Sequence, residues 1–268
     1  MKITNYHTHT AYCDGKNTPE EMVLSAIKNG MAEIGFSVHS PLPFYADWAI
    51  EEERLGEYKS ELLALREKYK DQIKIFIGIE QDYFSENSTD GFDYVIGSVH
   101  YIYKNGEYLA LDLSADEVAS NIKKHYGGDA LAYCEDYYAL VADVYNKTKC
   151  QIIGHFDLIT KFNEVMPLID TNSKRYKKAV QGALDSLLKC PAIFEINTGA
   201  ISRGYRTCPY PQEEILDLIA ESGKPFVINS DSHNVDSIAF GIKEQMRELR
   251  MCGYKYTTSL DEILKITK

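Results

Sequence analysis

Lys74-Ile75-Phe76-Ile77-Gly78-Ile79-Glu80 is a short apolar run that ends on a carboxylate. Its length suits a buried strand rather than a helix. A carboxylate at the inner end of a buried strand is costly unless it is paired or bound to a metal. Comparable runs recur at Ile3–Tyr6, Glu33–Ser37, Asp93–Ser98, Gln151–Ile153, Ile193–Ile196 and Phe226–Ser230. Amphipathic helical patterns separate them: from Pro19 to Gly30, Glu52–Tyr69, Ala115–His125, Ala130–Lys147, Ser173–Lys189, Gln212–Ser222 and Lys243–Met251. Thr18, Pro19 and Glu21 form a helix-start signature, and Lys104-Asn105-Gly106-Glu107 is a hairpin turn signal. Strands alternating with helices predict βα units on a mostly parallel sheet, and seven of them favour a barrel over an open sheet. A short eighth strand is a candidate at Lys255–Thr257.

The chain has 268 residues, enough for one large core, and residues 1–268 read as one domain without linker, repeat or low-complexity stretch. Its formal net charge of −11 lacks the basic footprint of a nucleic-acid binder and favours a small substrate. The N-terminus shows no secretory signal and no segment has the apolar length of a membrane span, so a cytoplasmic protein is expected. The six cysteines form no CxxC pair and read as free thiols in a reducing compartment.

The histidines carry the chemistry. Of seven, His7, His9, His39, His100, His155 and His233 fall at or just past predicted strand ends, which in a parallel barrel open onto one face. His125 lies on a helix and receives no role. His7 and His9 are two residues apart, so on a strand both imidazoles point to one side. Asp231 and His233 repeat that spacing. Asp14 sits in Cys13-Asp14-Gly15 and is either a ligand from the first βα loop or a turn residue. Glu80 is a candidate to bridge two metals, with a salt bridge to a barrel lysine as the alternative. This many nitrogen and oxygen donors exceeds the four of a structural zinc site and fits two or three divalent ions at a catalytic centre.

In order along nearly the whole chain, His7-Thr8-His9-Thr10, Ser37-Val38-His39, Gly78-Ile79-Glu80, Gly97-Ser98-Val99-His100, Gly154-His155-Phe156-Asp157, Glu195-Ile196-Asn197 and Ser230-Asp231-Ser232-His233 resemble the PHP (polymerase and histidinol phosphatase) family. The stretches Gly78–Tyr83, Gly97–Tyr101 and Gly154–Ile159, followed by Lys161-Phe162, are similar to its histidinol-phosphate phosphatases. The resemblance implies a distorted (β/α)7 barrel with a metal site at the C-terminal ends of the strands. It implies hydrolysis of a phosphate monoester, L-histidinol phosphate, in histidine biosynthesis, by a hydroxide bridging two metals. One metal would take His7, His9, Glu80 and Asp231, a second Glu80, His100 and His155, and a third His39, His233 and the loop ligand. That ligand is a histidine in many members, whereas this chain offers Asp14. Zn, Mn and Fe all suit such donors.

Among the expected catalytic residues are Glu80, Asp231 and His233. The leaving-group proton has two candidate sources, Asp157 and a metal-bound water. Arg203 and Arg206, with Lys161, are candidates to hold the phosphate, since guanidinium and ammonium groups suit phosphate oxygens. Ser202 and Tyr101 complete the expected substrate contacts. The aromatic stretch Pro41–Trp48 is either a lid over the organic part of the substrate or ordinary loop packing. The alternatives are a PHP phosphoesterase acting on another small ester or on nucleic-acid ends, and a non-catalytic metal-binding domain.

Overall fold

A computed structural model describes residues 2–268. The strands are β1 (Thr4–Asn5), β2 (Glu33–His39), β3 (Lys74–Asp82), β4 (Tyr94–Ser98), β5 (Tyr101–Lys104), β6 (Glu107–Ala110), β7 (Ile152–Ile153), β8 (Ile193–Asn197), β9 (Phe226–Asn229) and β10 (Tyr256–Thr257). The helices are α1 (Pro19–Lys28), α2 (Leu55–Lys68), α3 (Ala115–Tyr126), α4 (Ala130–Thr148), α5 (Lys174–Leu187), α6 (Gly199–Ser202), α7 (Glu213–Glu221), α8 (Ile242–Cys252) and α9 (Leu260–Ile266). Eight strands form a parallel sheet in the order β1-β2-β3-β4-β7-β8-β9-β10, and β5 and β6 form a separate hairpin. That hairpin turns at Asn105 (φ 53) and Gly106 (φ 85), the left-handed pair that an Asn-Gly turn supplies.

The sheet closes at one end only. Beyond β1 and β9, Thr8 pairs in parallel with Ser232. His9 N donates to Ser232 O (2.8 Å), and Ser232 N donates to His7 O (3.2 Å). Seven strands therefore form a ring at their C-terminal ends. At the opposite end β10 pairs with β9 through Tyr256↔Phe226 and Thr257↔Val227. This is the distorted (β/α)7 barrel expected, with the eighth short strand attached at its base.

Alternation along the strands sorts side chains into three regions. Ile75, Ile77 and Ile79 of β3 and Phe194 and Ile196 of β8 face the helices in the outer core. A second cluster inside the barrel joins Tyr6, Tyr94, Ile96, Ile152, Ile193 and Val227 with Leu260 and Ile263 of α9. The short helix α9, which no sequence signal suggested, thus plugs the base of the barrel. Burying Leu260 and Ile263 there contributes roughly 1.5–3 kcal/mol each. The Tyr94 side chain lies across the interior, where a Cβ on Gly35 would come within 2.4 Å of its hydroxyl and one on Gly78 within 2.3 Å of its ring. Above this floor the inward positions turn polar: Ser37 and His39 on β2, Glu80 and Asp82 on β3, and Glu195 and Asn197 on β8, all buried.

Candidate metal centre

The sheet register brings the donors together. His39 on β2 lies beside Glu80 on β3, which lies beside Ile96 on β4. The loop after β1 supplies His7, His9 and Asp14, and the loop after β9 supplies Asp231 and His233. His100 and His155 follow β4 and β7. Four overlapping groups converge: His7, His9 and Asp231; His7, Glu80 and His155; His39, Glu80 and His100; and His9, Asp14, His39 and His233.

The two oxygens of Glu80 face different imidazoles. Oε2 is 3.2 Å from His7 Nε2, 3.5 Å from His9 Nε2 and 2.8 Å from His39 Nδ1. Oε1 is 2.9 Å from His155 Nε2 and 3.3 Å from His100 Nε2. Asp231 Oδ1 adds to the first group, 3.7 Å from His7 Nε2 and 3.3 Å from His9 Nε2. Asp14 reaches His233 Nε2 through Oδ2 (3.1 Å) and His39 Nε2 through Oδ1 (3.6 Å).

These donors fit divalent ions. His7 Nε2, His9 Nε2 and Glu80 Oε2 are buried without hydrogen-bond partners among the described residues. Leaving a buried polar group unsatisfied costs about 1–3 kcal/mol, and a cation resolves all three at once. Ligand atoms at roughly 2.0–2.1 Å around a tetrahedral ion stand about 3.3 Å apart, close to the separations of His7, His9, Glu80 and Asp231. Burial, then the neighbouring His39 and His233, lowers the His9 pKa to about 3, so its imidazole is neutral with a free lone pair. Burial opposes ionisation of Glu80, yet His7, His39 and His100 hold its carboxyl well below the usual range.

Two carboxylates that lie in the family-like stretches but received no role there fix the imidazoles. Glu195 Oε1 accepts from His7 Nδ1 (2.7 Å), and its Oε2 accepts from His155 N (2.9 Å). Asp82 Oδ2 accepts from both the backbone N and the Nδ1 of His100 (3.0 Å each). Each carboxylate holds the ring proton on Nδ1 and turns the Nε2 lone pair towards the cluster, a common support for metal ligands. Their signal was a buried carboxylate at an inward strand position, the same that marked Glu80.

A cavity of about 390 Å³ opens over this centre. Arg203 and Lys161 line it, as do Asp14, His39, Glu80, His100, His155, Asp231 and His233. Arg203 donates to Asp231 O (2.9 Å) and Asp231 Oδ2 (3.0 Å). Lys161 Nζ donates to the backbone oxygen of Asp112 (2.8 Å).

Four expected contacts are corrected. Arg206 is buried away from the cavity, with Nη1 2.9 Å from Thr160 Oγ1 and 3.4 Å from Asp157 Oδ2. Asp157, expected as a proton source, is fully buried and turned towards that arginine, and its Oδ2 also accepts from Gln212 N (3.1 Å). Ser202 donates to Gly199 O within α6 (2.8 Å). Tyr101 lies behind Trp48, whose Nε1 donates to its hydroxyl (3.0 Å). Trp48, from the aromatic loop after β2, itself lines the cavity. Its ring meets His39 edge-on at 4.6 Å.

A closed parallel barrel with imidazoles and carboxylates gathered at its C-terminal rim defines a metal-dependent hydrolase of the α/β class. Residues 5–199 match the PHP domain, and the chain belongs to that family. It is 29% identical to the "Probable histidinol-phosphatase" of Schizosaccharomyces pombe, covering 94% of this chain and 87% of that protein. It is 26% identical to the histidinol-phosphatase of Bacillus subtilis, over 90% of this chain and 97% of that protein. The crystal structure of histidinol phosphate phosphatase from Lactococcus lactis, complexed with zinc, L-histidinol and phosphate, shares the fold at a TM-score of 0.71. The identity is 21%, with 95% of each chain covered.

Proposed function

We propose that this chain hydrolyses L-histidinol phosphate to L-histidinol and phosphate in histidine biosynthesis. The observation that carries the reading is the division of Glu80, whose two oxygens serve two separate groups of imidazoles at the floor of one cavity. Relatives over nearly the full chain are named histidinol-phosphatases, which supports the substrate. We assign His7, His9, Glu80 and Asp231 to one ion, Glu80, His100 and His155 to a second, and His39, His233 and Asp14 to a third. Zn, Mn and Fe suit these donors equally.

Bound ions would supply Lewis acidity and a water of lowered pKa. The chain's own part is positioning. Glu195 and Asp82 fix the imidazole tautomers. Arg203 has five N–H donors and uses only some of them on Asp231, so the others are available to a phosphate oxygen. Lys161 adds a second cation at the rim. Because Asp157 Oδ2 is held by Arg206 and Gln212 N, we assign the leaving-group proton to water.

The acidic chain, with Asp47 and Asp112 at the cavity mouth, disfavours a polyanion and supports a small ester over nucleic-acid ends. Among the described residues no helix is long and apolar enough to cross a membrane. We read residues 1–268 as one domain acting in the cytoplasm. Steady-state phosphate release from a panel of esters tests the function. Histidinol phosphate should show a higher kcat/KM than nucleotides, sugar phosphates or DNA ends, and preference for any of those would overturn the assignment.

A further inference from the structure

Five carboxylates line the cavity, and three of them, Asp14, Glu80 and Asp231, belong to the metal-binding groups. Asp47 and Asp112 belong to none. Extra carboxylates beside a phosphate site suit a substrate that carries a positive group as well as its dianion. Asp112 is the better placed of the two, because Asp47 is exposed whereas Asp112 is held in position from two sides.

The β5–β6 hairpin leaves the rim at His100 and returns beside it, with Leu111 N donating to His100 O (3.0 Å). The next residue, Asp112, is thereby delivered to the cavity wall. Lys161 Nζ grips it through the backbone oxygen at 2.8 Å and through Oδ2 at 3.4 Å. Oδ1 has no hydrogen-bond partner among the described residues. Burial opposes the charge on Asp112, but the Lys161 ammonium beside it holds its carboxyl below the usual carboxylate range. Trp48 stands on the same cavity wall, stacked on Tyr101 at 5.9 Å and edge-on to His100 at 5.4 Å, and offers a flat apolar surface.

We propose that Asp112 is the residue that selects the leaving group: its free carboxylate oxygen receives an ammonium on the alcohol half of the ester, with the Trp48 indole flanking the rest of that half. Resting on the histidinol-phosphatase reading, this makes amino-alcohol phosphates the preferred class and separates two tasks. Arg203 and the metal-binding groups take the phosphate, and Asp112 takes the cation.

The test uses Asp112→Asn, which keeps size and removes charge. Trp48 is the single tryptophan among 20 tyrosines, so selectively excited indole fluorescence reports on this wall. A hydrogen bond to a charged group is strong enough that its loss weakens binding about tenfold or more. Titration of the metal-loaded protein with L-histidinol should therefore show at least a tenfold weaker Kd in the variant, while inorganic phosphate binds no more weakly than to the parent. The ratio of kcat/KM for histidinol phosphate to that for glycerol phosphate should fall by a similar factor. An unchanged ratio with unchanged L-histidinol affinity overturns the assignment of Asp112, as does an equal loss of affinity for L-histidinol and phosphate. If the parent protein itself fails to hydrolyse histidinol phosphate, the broader reading fails instead.

Discussion

Replacing Glu195 by glutamine separates the electrostatic role of this residue from its packing role. Four donors converge on the buried carboxylate: His7 Nδ1 at 2.7 Å and Asn229 Nδ2 at 2.8 Å on Oε1, and His155 N at 2.9 Å and Asn197 Nδ2 at 3.0 Å on Oε2. Neither asparagine can turn its amide over without loss. Asn229 Oδ1 already accepts from Tyr6 N (2.8 Å), and Asn197 Oδ1 from Gly199 N (2.9 Å). A glutamine must therefore aim its NH2 at two donors, whichever way it sits. With the NH2 towards His155 and Asn197, two buried donors lose their acceptor, at about 1–3 kcal/mol each. With the NH2 towards His7, the imidazole must accept on Nδ1, and its Nε2 then carries a proton that points at Glu80 and Asp231. Loss of such a supporting group typically weakens metal binding by roughly 10–100-fold, or about 1.4–2.8 kcal/mol. The assay is competition for metal against a chelator of known affinity, followed by metal content per chain, with thermal unfolding of the metal-free protein alongside. Expected are weaker metal binding by at least tenfold and a lower Tm. Metal affinity within about twofold of the parent together with an unchanged Tm would refute the reasoning, because each orientation of the glutamine must give up either the His7 tautomer or two buried acceptor contacts.

Complete chelation should abolish phosphate release and lower the Tm, because ions that bind only the folded chain stabilise it; activity surviving verified metal removal would defeat the metal-dependent reading. The two arginines should part company. Arg203→Ala should lower kcat/KM by about ten- to a hundredfold at saturating metal, since a hydrogen bond to a charged group contributes roughly 1.5–3 kcal/mol. Arg206→Ala should instead lower the Tm, because it strands the buried Asp157 carboxylate at about 3–5 kcal/mol, with kcat/KM of the folded protein within about twofold; parental Tm with lost turnover would reverse that assignment.

Much of this architecture is written locally in the sequence. Strand-length apolar runs separated by amphipathic helices predict the barrel, because side-chain alternation and helix periodicity are properties of a few neighbouring residues. The Thr18–Glu21 capping box and the Asn105-Gly106 turn formed where their residues stand. Helix α9 was not legible for the converse reason. It is 7 residues long, and its purpose is to place Leu260 and Ile263 against Tyr6, Tyr94 and Ile96, contacts made by segments far away in the chain. The roles of Glu195 and Asp112 were not legible on similar grounds. A carboxylate's role depends on which donors face it, and those come from the loop after β1, from β8 and β9, or from the loop after β7.

The substrate side was least legible because it depends on where the chain turns. His7 and His9 share a face through their two-residue spacing, and Asp157 stands at the same spacing from His155. The chain does not stay extended there. Leu158 N donates back to His155 O (2.9 Å), and a 3₁₀ turn over Leu158–Thr160 begins at once. That turn leaves the Asp157 carboxylate off the rim and in the buried wall behind it, where it meets Arg206 and Gln212 N. The arginines divide for a related reason. Gly204 adopts φ 77 between them, a left-handed conformation that reverses the chain after α6 and sends Arg203 towards Asp231 but Arg206 towards Asp157. Once Arg206 occupies that wall, its ion pair with Asp157 ties the loop after β7 to the loop after β8. The two loops that carry His155, Lys161 and Arg203 are thus held in register by a pair that has no part in the chemistry, which is why removing it should cost stability first.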